Sequence, residues 1–132
     1  VIELPTYTGE SVGKMERSIL VVDDDREIVR LFEKILMKKG MTGFDIAQSI
    51  TQAKELLTGK EYDLVFLDLL LPDGKGEELI SWIKSLGRPV FVVAITGKMD
   101  VEEQEILAKG ASAFLTKPFD IKELDTLISR YC

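Results

Sequence analysis

The chain contains no histidine. That excludes a Ser-His-Asp triad, a histidine-ligated zinc site and phosphorylation of this chain on histidine. Cysteine is nearly absent too. Cys132, the last residue, is the only one, so no intrachain disulfide can form. It reads as an incidental terminal thiol, and a cytoplasmic setting fits. No apolar run approaches the ~20 residues of a membrane-spanning helix, and the N-terminus lacks the charged-then-apolar layout of a secretory signal. Nor is there a basic excess. With 23 acidic and 17 basic residues the net charge is −6, and no basic stripe interrupts it, which argues against nucleic-acid binding by this chain.

What is present is an ordinary globular composition. The 132 residues, 45% hydrophobic, suffice for one domain with a real core. Residues 1–17 lack periodicity and carry Pro5, Gly9 and Gly13. They read as an N-terminal tail or linker, either the end of an upstream domain or residues added ahead of a natural start at Met15. Residues 18–132 read as the domain itself.

From Ser18 onward, strand-like and helix-like segments alternate. ILVV (19–22) is a short buried strand, and Ile28, Leu31, Phe32, Ile35 and Leu36 follow at helical spacing up to Gly40. GFDIA (43–47), DLVFL (63–67), VFVVAI (90–95) and SAFLT (112–116) read as further strands. Helices are expected through Leu56 and Leu57, through Leu79 to Leu86, from about Asp100 to Lys109, and through Ile121 to Tyr131. Alternation of this kind predicts an α/β fold: a five-stranded parallel sheet with helices on both faces, because parallel neighbours need crossovers.

In open α/β sheets ligands bind beyond the carboxyl ends of the strands. The first strand runs into Asp23 and Asp24, the third into Asp68, the fourth into Thr96 and the fifth into Lys117. Singly, each has an ordinary explanation: a helix cap, a turn before Pro72, a surface cation. Together, three carboxylates, a hydroxyl and an ammonium on one sheet edge are the parts of a phosphoryl-transfer site. Carboxylates hold a hard Mg²⁺ ion. An ammonium neutralises the transferring group, a hydroxyl bonds its oxygens, and a carboxylate can be the nucleophile. Asp25, next to the acidic pair, reads as a helix cap or a solvated residue.

The acidic pair after the first strand, LDLLLPDG (67–74), ITG (95–97) and TKPF (116–119) together resemble the receiver domain of two-component response regulators, CheY-like, over about Ser18 to Tyr131. The resemblance implies a flavodoxin-like sheet of order 2-1-3-4-5. It implies that Asp68 accepts a phosphoryl group from a phosphohistidine on a histidine kinase or histidine phosphotransfer protein. Asp23, Asp24, Asp68 and the backbone carbonyl of Leu70 would hold Mg²⁺, with Lys117 pairing with the phosphorylated aspartate. Thr96 and Phe114 would form the switch that alters the face of the fourth helix, fifth strand and fifth helix. The Lys117–Pro118 bond is similar to one that is cis in the family. Leu70 and Lys98 match positions that tune the lifetime of the acyl phosphate. Leu70 offers no hydrogen bond to a hydrolytic water, so slow self-dephosphorylation is expected.

A receiver is a signalling module rather than a turnover enzyme, and its output domain or downstream protein is not visible in this sequence. The competing function is a phosphorylation-independent pseudo-receiver that only docks partners. The full set Asp23, Asp24, Asp68, Thr96 and Lys117 argues against it, since folding alone needs none of them. A haloacid-dehalogenase-like hydrolase would need a second acid two residues past the nucleophile, where Leu70 stands. A nucleotide-binding P-loop fails because GKGEE (74–78) lacks the glycine spacing.

Overall fold

The computed structural model describes residues 18–97 and 103–131. The expected tail at residues 1–17, Lys98, the expected helix start from Asp100 to Glu102, and Cys132 lie outside the described residues.

The elements run β1 (Ile19–Val22), α1 (Arg26–Lys38), β2 (Phe44–Ala47), α2 (Ile50–Gly59), β3 (Leu64–Asp68), β4 (Leu70–Leu71), β5 (Gly74–Lys75), α3 (Gly76–Ser85), β6 (Phe91–Thr96), α4 (Glu103–Ala108), β7 (Ala113–Thr116) and α5 (Ile121–Tyr131). Five strands form one parallel sheet in the order β2-β1-β3-β6-β7, which is the expected 2-1-3-4-5 with the small ribbon β4-β5 counted in the chain numbering. The sheet strands begin and end within a residue of their expected positions. The ribbon was not anticipated. It is antiparallel, pairing Leu70 with Lys75 and Leu71 with Gly74.

The central strands are apolar because both of their faces are covered. Ile19 to Val22 and Leu64 to Leu67 are wholly buried. Alternation along the strands then separates two cores. Val21, Phe66 and Ile95 pack with Phe32 and Leu36 of α1 and Leu124 and Ile128 of α5. Val22, Leu67 and Ala94 pack with Leu57 of α2, Leu79 and Ile83 of α3 and Ile106 of α4. Phe32 and Phe66 meet with ring centroids 4.8 Å apart, and truncating either to alanine should cost about 3–5 kcal/mol.

Local signals set the ends of α1. Asp25 is its N-cap, and its carboxylate accepts the Glu27 N–H at 2.9 Å, as its position suggested. Gly40, at φ +77°, closes the helix in the left-handed conformation while the Met41 N–H donates to the Leu36 carbonyl.

Candidate functional site

Parallel strands point the same way, so whatever follows β1, β3, β6 and β7 shares one rim. Register makes these ends neighbours: Val22 lies beside Leu67, Asp68 beside Ile95, and Thr96 beside Thr116. Backbone bonds continue the order past the strands. Asp23 N–H donates to the Ala47 carbonyl, Leu69 N–H to Ile95, and Lys117 N–H to Thr96 at 2.7 Å.

The side chains converge there. Asp23 and Asp68 are buried, at 0% and 4% exposure, while Asp24 is exposed. Carboxylate oxygens of Asp23, Asp24 and Asp68 all lie within 4.8 Å of one another. Lys117 Nζ reaches Asp68 Oδ2 at 3.2 Å and Asp23 Oδ2 at 3.4 Å. The other oxygen of each buried carboxylate is held by backbone: Asp68 Oδ1 accepts the Leu70 N–H at 3.0 Å, and Asp23 Oδ1 accepts the Asp25 N–H at 2.9 Å. A cavity of about 570 Å³ opens over the group, lined by Asp24, Asp68, Leu70, Pro72, Thr96 and Lys117 among others.

Burial raises the Asp23 carboxyl to about 7. The backbone N–H of Asp25 opposes that shift, and the neighbouring Asp68 adds to it. Burial alone would pull Lys117 down, but its two carboxylate partners outweigh the effect and hold it above the usual lysine range.

Among the described residues, Asp23 Oδ2 is buried without a hydrogen-bond partner, and the Lys117 ammonium stands near it at ion-pair distance. An orphaned carboxylate oxygen beside two more carboxylates is a donor set that suits a hard divalent cation. The residues therefore fit Mg²⁺.

Of the expected residues, Asp23, Asp24, Asp68, Leu70, Thr96 and Lys117 are thus brought together. Thr96 is buried at the end of β6, and the Lys117–Pro118 bond is cis. Phe114 is not in the cavity wall. It is half-buried, next to Ala94 on β6, and packs toward the α2–α3–α4 core. Leu70 is 66% exposed, and its side chain lies open at the rim. Sequence reasoning missed Asp73, whose only signal is that of a turn residue after Pro72. Its carboxylate accepts the Ile50 and Thr51 N–H groups at the start of α2, at 2.8 and 3.0 Å.

Comparison with known proteins identifies the family and the fold. Residues 19–129 match the family model described as response regulator receiver domain. The chain is 35% identical to response regulator protein PilR of Pseudomonas aeruginosa over 112 residues, covering 83% of this chain and 25% of that one. It is 33% identical to sporulation initiation phosphotransferase F of Bacillus subtilis, covering 89% of this chain and 94% of that one. The crystal structure of a CheY-like receiver domain protein from Methanospirillum hungatei superposes with a TM-score of 0.78 at 29% identity, over 86% of this chain and 91% of that one. The chain thus spans a quarter of PilR and nearly all of the sporulation phosphotransferase.

Proposed function

Because the chain belongs to the response regulator receiver domain family, we propose that it is a phosphoacceptor switch in two-component signalling, with Asp68 as the acceptor. The observation that carries this reading is the Lys117 ammonium bridging Asp68 and Asp23, with Asp24 beside them. A bare fold gains nothing from two buried carboxylates and an orphaned oxygen.

The chemistry follows from these positions. With its Oδ1 held by the Leu70 N–H, Asp68 presents a fixed carboxylate to the cavity. One of its oxygens attacks the phosphorus of a phosphohistidine on a histidine kinase or histidine phosphotransfer protein. The phosphorus–nitrogen bond breaks, and the ring, protonated at its other nitrogen, leaves as neutral imidazole. The product is a mixed anhydride on Asp68. Lys117, freed from the charge of the Asp68 carboxylate, then pairs with a phosphoryl oxygen. Asp23, Asp24, Asp68 and the Leu70 carbonyl would hold Mg²⁺, which when bound neutralises charge on the phosphoryl oxygens.

Readout follows from the same rim. The Thr96 hydroxyl bonds a phosphoryl oxygen and, with Phe114 on the neighbouring strand, alters the face of α4, β7 and α5. Signal passes from there to an output domain or downstream protein. The protein acts in the cytoplasm, where its phosphodonors work. No helix among the described residues is long and apolar enough to cross a membrane.

Incubation with acetyl phosphate and Mg²⁺, followed by intact mass, tests the reading. One phosphoryl adduct that disappears in Asp68→Ala is the expected result. A wild-type protein that takes no phosphate would make it a phosphorylation-independent docking module instead.

A further inference from the structure

The ribbon β4-β5 springs directly from the acceptor. Asp68 ends β3, Leu70 starts β4, and the Leu70 N–H donates to Asp68 Oδ1 at 3.0 Å. The placement of Leu70 therefore sets the orientation of the Asp68 carboxylate. Yet a ribbon of two-residue strands has almost no stability of its own, so something outside it must hold Leu70 in place.

Two anchors are local. The Leu71 side chain is buried in the α2–α3–α4 core, and the Gly76 N–H donates to the Leu69 carbonyl at 2.9 Å. The third comes from the turn. Asp73 Oδ1 accepts the Ile50 N–H at 2.8 Å, and Asp73 Oδ2 accepts both the N–H and the hydroxyl of Thr51 at 3.0 Å. Gly74 lies so close under α2 that a Cβ there would come within 2.9 Å of Ile50 Cδ1. The helix does not supply these bonds itself. Its own cap, Ser49, accepts the Gln52 N–H instead, at 3.1 Å. The first two N–H groups of α2 are therefore satisfied across 22 and 23 residues of sequence by the tip of the ribbon.

We propose that Asp73 is a positioning residue for the site: its bidentate hold on the first turn of α2 fixes the ribbon, and through the Leu70 N–H it fixes the Asp68 carboxylate. The proposal rests on the reading of Asp68 as acceptor, but its consequences are measurable without phosphorylation. Loss of the hold lets Leu70 move. That frees the Asp68 rotamer and displaces the Leu70 carbonyl from the donor set for Mg²⁺.

Ser49→Ala provides a matched control, since it weakens the same helix end without touching the ribbon. The test compares wild type, Asp73→Ala, Asp73→Asn and Ser49→Ala by calorimetric Mg²⁺ titration and by hydrogen exchange at the Leu70 amide. Asp73→Ala should raise the Mg²⁺ dissociation constant about tenfold, the low end of what loss of a supporting partner does to a metal site, and should speed Leu70 exchange. Asp73→Asn keeps one acceptor oxygen and should fall between it and wild type. Should the alanine variant fail to fold, the asparagine variant carries the same comparison. Ser49→Ala should lower the melting temperature while leaving both readouts at wild-type values. Wild-type values in Asp73→Ala and Asp73→Asn, or equal shifts in Ser49→Ala, would overturn the proposal. An Asp68 that takes no phosphate in the wild type counts against the acceptor reading alone, and the two readouts still decide the role of Asp73.

Discussion

Lys117 Nζ lies 3.2 Å from Asp68 Oδ2 and is shared with Asp23, so a single ammonium offsets two buried carboxylates. Removing it takes from both, in a poorly solvated rim, the ion-pair partner they share. Lys117→Met should therefore slow phosphorylation of Asp68 by a donor such as acetyl phosphate about 100-fold, the scale seen when one preorganised charge partner is deleted. The rate of adduct formation by intact mass checks it.

A second consequence concerns pH. The Asp23 carboxyl is raised by burial to about 7 in the metal-free protein. Between its unfolded value near 4 and about 7, the folded state holds a proton that the unfolded state has lost. The stability this group contributes is complete below that window and is lost as pH rises through it. Magnesium needs the ionised carboxylate, so its affinity should climb across the same window and level off above pH 7. Calorimetric titrations from pH 5.5 to 8.5 read this directly, and Asp23→Asn should flatten the profile.

Much of the site was legible because of one geometric fact. In a parallel sheet every strand delivers its last residue to the same rim, so Asp23, Asp68, Thr96 and Lys117 could be placed together from the apolar runs before them. Burial differences were not legible: nothing in the run of three aspartates distinguishes Asp23, wholly buried, from Asp24, exposed. The β4-β5 ribbon was invisible because two-residue strands carry no periodicity. Asp73 was invisible for a related reason. A carboxylate in a Pro-Asp-Gly turn has a sufficient local explanation, and its partners Ile50 and Thr51 lie more than twenty residues earlier.

Leu70 stands at the mouth of the cavity with 66% of its surface exposed and no polar atom to orient a water. Leu70→Asn should shorten the lifetime of the phosphorylated protein, up to about tenfold, a modest part of what a positioned polar group contributes to such a step. The decay of the adduct in Mg²⁺ checks it. Decay as slow as wild type would show that the leucine is neutral.

Gly76 opens α3 directly against the backbone of Asp68 and Leu69. A Cβ at this position would lie 2.6 Å from the Asp68 carbonyl oxygen and 2.8 Å from Leu69 Cα, and backbone cannot swing aside as a side chain can. Gly76→Ala should destabilise the domain by about 1–3 kcal/mol, as overpacking does. Denaturant unfolding measures it. Gly59→Ala, where nothing lies within 4 Å of the added Cβ, should show no such loss.

The central claim is that Asp68 becomes an acyl phosphate, and borohydride trapping tests it most directly. Reduction of the phosphorylated protein should convert residue 68 alone to homoserine, located by peptide mass, with Asp23, Asp24 and Asp25 unchanged. Homoserine at one of those three positions, or at none, would contradict the account.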